Sequence, residues 1–362
     1  MIRNILRIVV AIIFIISGFV KAIDTVGFSF KLEEYFSSSV FNIPFLEQWS
    51  LQLAIFVVAF ELILGLTLLL KIKLKETLAL LILLCVFFAF LTFYSAYYNK
   101  VTDCGCFGDA IKFTPWQSFY KDIILLVGLL LLWWFYKKDW GESSTVNSLQ
   151  KIVFTVFSLG FAWVIFHGIK HEPLIDFRDY KIGTNLKLEK QKIADNPAEY
   201  KSFYTLKNKT TGEEKLVDQD DFVNKEEYWK EGTPWQIMEG KETSKLIKEG
   251  YKSEITKLNI EDAAGNNYTN QLIQSPNAIV IFSYDPKNVD TQIIAQLETR
   301  LKPISNTFVL GVSTNPNLYK TIPSGIMDGT AIKTIARSNP FVLVLKNGVI
   351  VDKLSAKDYL AK

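Results

Sequence analysis

Cys104 and Cys106 stand one glycine apart in Val101-Thr102-Asp103-Cys104-Gly105-Cys106-Phe107-Gly108-Asp109, and they are two of only three cysteines among 362 residues. Cysteines at this spacing have Cα atoms roughly 5–7 Å apart, which overlaps the range a disulfide tolerates if the residue between them can bend the chain. Gly105 supplies that freedom. The small ring is strained, and strain raises the reduction potential, so such a bond is suited to exchange more than to stapling. A static disulfide, a metal site and two inert thiols are the other readings of the pair. A metal would have to rely on Asp103 and Asp109, because His167 and His171 are the only histidines in the chain; none is expected. Cys85, in the apolar run Leu83-Leu84-Cys85-Val86-Phe87, reads as a packing residue.

Which chemistry the pair performs depends on its compartment, and so on topology. Residues 8–23, 52–70, 77–97, 123–136 and 152–168 are mostly apolar runs of about 14–21 residues, near the ~20 that a helix needs to cross a bilayer. The fourth is short unless it extends back through Phe119 and Tyr120, past Lys121 and Asp122, whose side chains would then reach the outer interface. Basic residues flank one set of span ends: Arg3 and Arg7, then Lys71, Lys73 and Lys75, then Lys137 and Lys138. By the positive-inside rule these ends are cytoplasmic, which places the 24–51 loop, the 98–118 loop with its cysteines, and everything after residue 168 on the far side. The expected location is a bacterial inner membrane, with a cytoplasmic N-terminus and a periplasmic C-terminal region in contact with lipid. A cleaved signal peptide is the alternative for the first span.

Short loops after the second and fourth spans predict an up-down bundle of the first four, with Gly18, Gly65 and Gly128 allowing close approach. Glu61, in the middle of the second span, must be paired, protonated or facing a polar cavity. It reads either as a proton-relay, quinone or substrate contact, or as a structural hydrogen bond between helices. Lys21 and Asp24, at the end of the first span, read as interfacial anchors or as a polar cluster near the cysteine loop.

Ser17-Gly18-Phe19-Val20-Lys21, Phe60-Glu61-Leu62-Ile63-Leu64-Gly65 and Asp103-Cys104-Gly105-Cys106-Phe107-Gly108-Asp109 together resemble the DoxX-like membrane family, and within it the branch related to the methylamine-utilisation protein MauE. The resemblance covers residues 1–140. It implies a four-helix membrane domain tied to thiol and disulfide handling or quinone-linked sulfur oxidation, a chemistry class and not a substrate. The candidate site is then Cys104 and Cys106 as the reacting pair, with Glu61, Lys21, Asp103 and Asp109 supporting it.

Beyond the fifth span, assigned to 141–170, residues 171–276 are polar and turn-rich, and are expected to form a β-rich connecting region. Within it 202–207 and 214–217 read as a β-hairpin, and 174–182 as a linker with weak strand character. From 277 to 362 the order is buried strand, helix, strand and then a hairpin with an Asn347-Gly348 turn opening at Pro340. This resembles the thioredoxin-like α/β fold, with Pro340 at its cis-proline position. Where that fold carries Cys-X-X-Cys, this chain reads Tyr284-Asp285-Pro286-Lys287-Asn288, without sulfur. Such a domain is redox-inactive and fits partner or substrate binding through Tyr284, Asn339 and Pro340.

The fold expected is therefore an α-helical membrane bundle of four DoxX-like helices plus a fifth, followed by an extracytoplasmic thioredoxin-like domain. Two functions stand open. One is a thiol–disulfide oxidoreductase, quinone-linked, that works with a separate periplasmic thiol protein. The other is a non-enzymatic scaffold or assembly factor of an envelope complex. A formal net charge of +3 gives no sign of a nucleic-acid partner.

Overall fold

The computed structural model describes residues 1–101, 108–111, 113–140 and 146–362. The polypeptide begins with α1 (Ile2–Ile23), α2 (Thr25–Phe36), α3 (Pro44–Gln48), α4 (Ser50–Leu70), α5 (Leu74–Tyr98), α6 (Pro115–Tyr136) and α7 (Ser148–Lys170). Among the described residues α1, α4, α5, α6 and α7 are long and apolar enough to cross a membrane. They are the five spans expected. Helix α6 starts at a capping box, in which the Thr114 hydroxyl accepts from Gln117 N and the Gln117 side chain accepts from Thr114 N, with Pro115 at the first helical position. It runs unbroken through Lys121 and Asp122 to 22 residues, about 33 Å at 1.5 Å per residue, which covers the hydrocarbon core.

Helices α1, α4, α5 and α6 close a ring, with α1 against α4 and α6, and α5 against α4 and α6. Phe14, Leu68, Leu78, Leu81, Leu129 and Leu132 fill it. Helices α1 and α4 approach through Gly18 and Gly65, where an added Cβ would lie 2.9 Å from Leu62 Cγ and from Ile15 Cγ1 respectively. Gly128 has ordinary room, 3.5 Å from Val10. Helix α7 stands beside α1 and α4.

The 24–51 segment, expected as a loop, folds into α2 and α3. The Asp24 side chain caps α2 by accepting from Gly27 N. Phe28, Leu32 and Phe36 then bury one face against Ala22, Val58 and Leu62, while Lys31, Glu33 and Glu34 stay on the other. Those three charges gave the segment its loop-like composition, but the buried positions 25, 26, 28, 29, 32, 35 and 36 follow helical spacing.

Residues 184–259 form a separate compact unit. It contains α8 (Leu186–Asp195), β1 (Glu199–Asn208), β2 (Glu214–Asp218), α9 (Gln219–Asn224), β3 (Trp235–Ile237) and β4 (Thr243–Lys248). The expected hairpin is β1–β2, antiparallel with Lys207 opposite Glu214. Leu206, Val217 and Tyr228 make its core.

The remaining elements belong with the helical bundle to the other compact unit, residues 1–183 and 260–362. They are α10 (Tyr268–Gln274), β5 (Asn277–Ser283), α11 (Thr291–Leu301), β6 (Phe308–Ser313), β7 (Ser324–Ile326), α12 (Gly329–Ile335), β8 (Phe341–Lys346), β9 (Val349–Ser355) and α13 (Ala356–Ala361). The sheet order is β7-β6-β5-β8-β9, with β5, β6 and β7 parallel, β8 antiparallel to β5, and β9 antiparallel to β8. Asn347 and Gly348 both take positive φ in the β8–β9 turn, as a two-residue turn of this kind requires. The Asn339–Pro340 peptide is cis.

Residues 174–182 form no strand and are no free linker. Arg178 and Tyr180 are buried, and Gly183 N donates to Ile350 O. Arg178 pairs with Glu172 and Asp176, and Lys353 of β9 pairs with Asp176. Burial lowers the Lys353 ammonium to about 8, even with these carboxylates beside it.

Candidate functional site

Cys104, Cys106 and Asp103 lie outside the described residues. The other residues singled out in the sequence fall into two groups, one inside the bundle and one at the bundle end where α1 and α7 finish.

Inside the bundle, Lys21 Nζ donates to Glu61 Oε2 at 2.7 Å and to Ser17 Oγ at 2.9 Å. The lysine and glutamate side chains are 2% and 3% exposed. Lys21 is thus no interfacial anchor; the alkyl chain turns inward, and its ammonium lies over the Phe28 and Phe88 rings. Asp122, expected to reach the interface, is also buried. Its carboxylate accepts from Thr92 Oγ1 at 3.2 Å and pairs with Lys121 at 2.8 Å. Cys85 is buried and donates to Asp122 O at 3.1 Å, so its thiol meets a polar edge of the core.

At the bundle end, Asp24 and Asp109 converge on a residue that the sequence did not flag. Arg337 lies between α12 and the cis proline; its Nε is 2.7 Å from Asp24 Oδ2 and its Nη2 is 2.7 Å from Asp109 Oδ2. Nη1 donates to Lys333 O. Lys333 of α12 pairs with Glu33 of α2 at 2.6 Å and lies over the Phe30 and Tyr284 rings, which meet edge to face at 5.1 Å. The proline loop of the sheet is therefore fastened to α2, to the end of α1 and to Asp109, three residues beyond Cys106 in the chain.

The sheet residues meet there as well. Asn339 Nδ2 donates to Asp285 O at 2.7 Å, which ties the proline loop to the segment after β5. Its Oδ1 is buried without a hydrogen-bond partner among the described residues. Burial, with Glu33 adding to it, pushes the Tyr284 hydroxyl up to about 12, so it stays a neutral donor. Tyr284, Asn339 and Pro340 line a groove of about 1260 Å³, together with Phe30 and Glu33 of α2, Glu47 of α3, His171 and Asp358. This volume exceeds that of an ordinary small-molecule pocket and suits an extended polymer segment.

Burial disfavours the Asp24 carboxylate, yet the Arg337 and Arg178 guanidinium groups and the Gly27 N–H outweigh it and hold Asp24 below 3.8. A carboxyl with a lowered folded-state value stabilises above its unfolded value and loses that contribution as pH falls through the folded one. Arg337→Ala strips the buried Asp24 of its cation and should cost about 3–5 kcal/mol, read as a lower midpoint of thermal unfolding in detergent. Asp24→Asn should be less stable than wild type near neutral pH. The two should converge in acid, below the 3.8 of an ordinary aspartate; a gap that stays constant into acid would contradict the pairing.

Residues 1–135 match the family model described as methylamine utilisation protein MauE. No curated protein matches the chain, and no solved structure does.

Proposed function

With its first 135 residues matching a MauE-type membrane domain, we propose that the chain is a membrane-embedded thiol–disulfide redox protein, linked to quinone, whose sheet domain is a redox-inactive thioredoxin-like module for binding a partner or substrate. The observation that carries the reading is the Arg337 bridge, which joins the loop of cis-Pro340 to Asp24 and Asp109. Asp109 is three positions after Cys106, at most about 11 Å of chain. A polypeptide segment lying in the groove at Pro340 would thus be presented beside the Cys104-Gly105-Cys106 loop.

The sheet order, the α11 crossover and the cis proline before β8 support the thioredoxin-like assignment of 277–362. No cysteine follows Cys106 in the chain, so this domain positions but does not exchange. Thiolates of a separate periplasmic protein would attack the Cys104–Cys106 disulfide, leaving that protein oxidised and this pair as two thiols. The pair would then pass two electrons and two protons to a quinone, which becomes a quinol. The far end of the bundle, with Arg7 donating to Leu68 O and Arg3 paired with Asp139, supports a cytoplasmic N-terminus in a bacterial inner membrane and a periplasmic sheet domain.

The test is the redox state of the pair in native membranes, read by acid quench and mass-shifting thiol alkylation, with buried Cys85 as internal reference. The pair should be oxidised at rest, reduced by added dithiol and re-oxidised when quinone is supplied. A pair that stays in one state throughout removes the redox reading and leaves the scaffold.

A further inference from the structure

A second cluster of ionisable groups lies within the bundle. Ser17 and Lys21 of α1, Glu61 of α4, Cys85 of α5, and Lys121 and Asp122 of α6 surround a cavity of about 20 Å³. Roughly 10–15 Å³ of such space holds one water, so the cavity accepts a single water and excludes any organic headgroup. The walls offer that water several polar partners, and a dry apolar void would not. Two ion pairs face it: Lys21–Glu61, at 2% and 3% exposure, and Lys121–Asp122, whose lysine is 22% exposed. One turn nearer that end, on the same face as Asp122, the Ser118 hydroxyl is buried without a partner among the described residues, another polar atom suited to a water.

We propose that Lys21–Glu61 is an intramembrane proton-exchange site, connected to solvent at the α6 N-terminal end through the cavity water and the Asp122–Lys121 pair. Charge within a membrane span is costly, and ionisable residues retained there mark ion pathways and proton relays. The path has an order. Lys21 gives a proton to Glu61, which leaves a neutral amine and a neutral acid. The amine takes a replacement from the cavity water, the water from the Asp122–Lys121 pair, and Lys121 from solvent. Only N–H and O–H bonds are made and broken, no electrons move, and each protonation of Glu61 removes one proton from the aqueous phase. Among the described residues, α2 contributes the Phe28 ring, α5 the Cys85 thiol and the Thr92 hydroxyl bound to Asp122, and the buried residues of α7 are Val164, Ile165 and Gly168.

The site goes beyond the thiol reading and does not depend on it. The test uses the full chain in lipid nanodiscs with 15Nζ-labelled lysine, and follows exchange of the Lys21 ammonium protons with water by NMR. The signal is assigned through its contact with the Glu61 side chain, so that no variant at the pair itself has to fold. A sealed ion pair would protect these protons. The proposal expects rapid exchange in wild type, slowed on the order of a hundredfold in Lys121→Met and in Asp122→Asn, the lower end of what a positioned proton carrier contributes. Protected Lys21 protons in wild type, or a rate that neither variant changes, overturn it. The measurement is repeated in Cys104→Ser/Cys106→Ser, where unchanged exchange is expected even if the redox reading fails. Loss of exchange there would route the path through the cysteine loop and overturn the assignment to α6.

Discussion

Replacing Glu61 by Gln, or Lys21 by Met, should lower the stability of the membrane bundle by about 3–5 kcal/mol, the cost of leaving one buried charge without its partner. Neither side chain reaches bulk water, since both are almost fully enclosed. Glu61 sits one residue before Leu62 and four before Gly65, where α1 and α4 pack too closely to separate. The double variant Lys21→Met/Glu61→Leu removes both charges while roughly keeping volume, and should recover most of the loss. Unfolding of the detergent-solubilised chain by heat, compared across the three variants, checks this. Single variants as stable as wild type would mean that the charges are solvated, and the enclosed pair would be refuted.

Cys104→Ser and Cys106→Ser should each abolish dithiol-driven quinol formation in membranes, by orders of magnitude, because an exchanging pair acts as a unit and loses its function with either member. Neither should change folding, since the serine is nearly isosteric. One of the two should trap a mixed disulfide with the oxidised form of the partner protein, because the remaining thiolate attacks the partner's disulfide and displaces one partner thiolate, and this chain has no second thiol to resolve the bond. Cys85→Ala should retain turnover: its thiol is enclosed and already donates to Asp122 O, so it has neither exposure nor thiolate character. Quinol formation that survives the loss of both Cys104 and Cys106 would leave the chain as a scaffold built around its groove.

Hydropathy and composition alone located all five spans, because a bilayer demands some twenty apolar residues wherever a helix crosses it, and that demand is local. The β1–β2 hairpin, the Asn347-Gly348 turn and strands β5, β6, β8 and β9 were legible for the same reason, since turn chemistry and alternation act between near neighbours; the three-residue β7 was not. Glu61 stood out as an intramembrane carboxylate, and Lys21 was visible beside it in composition. Their partnership was not, because 40 residues separate them and only the crossing of α1 over α4 brings them within 2.7 Å. Asp122 read as an interfacial residue until the start of α6 at Pro115 placed it below the end of the helix. The helix at 25–36 was hidden by its own charged face. Arg337 carried no signal at all: an arginine before Ser338-Asn339-Pro340 has the same local sequence whether it meets solvent or two carboxylates. Its pairing with Asp24 and Asp109 spans 313 and 228 residues. Ion pairs of that separation depend on how the sheet docks on the bundle, and docking is decided by the summed burial of α2, the proline loop and residues 171–183, which no stretch of sequence contains by itself.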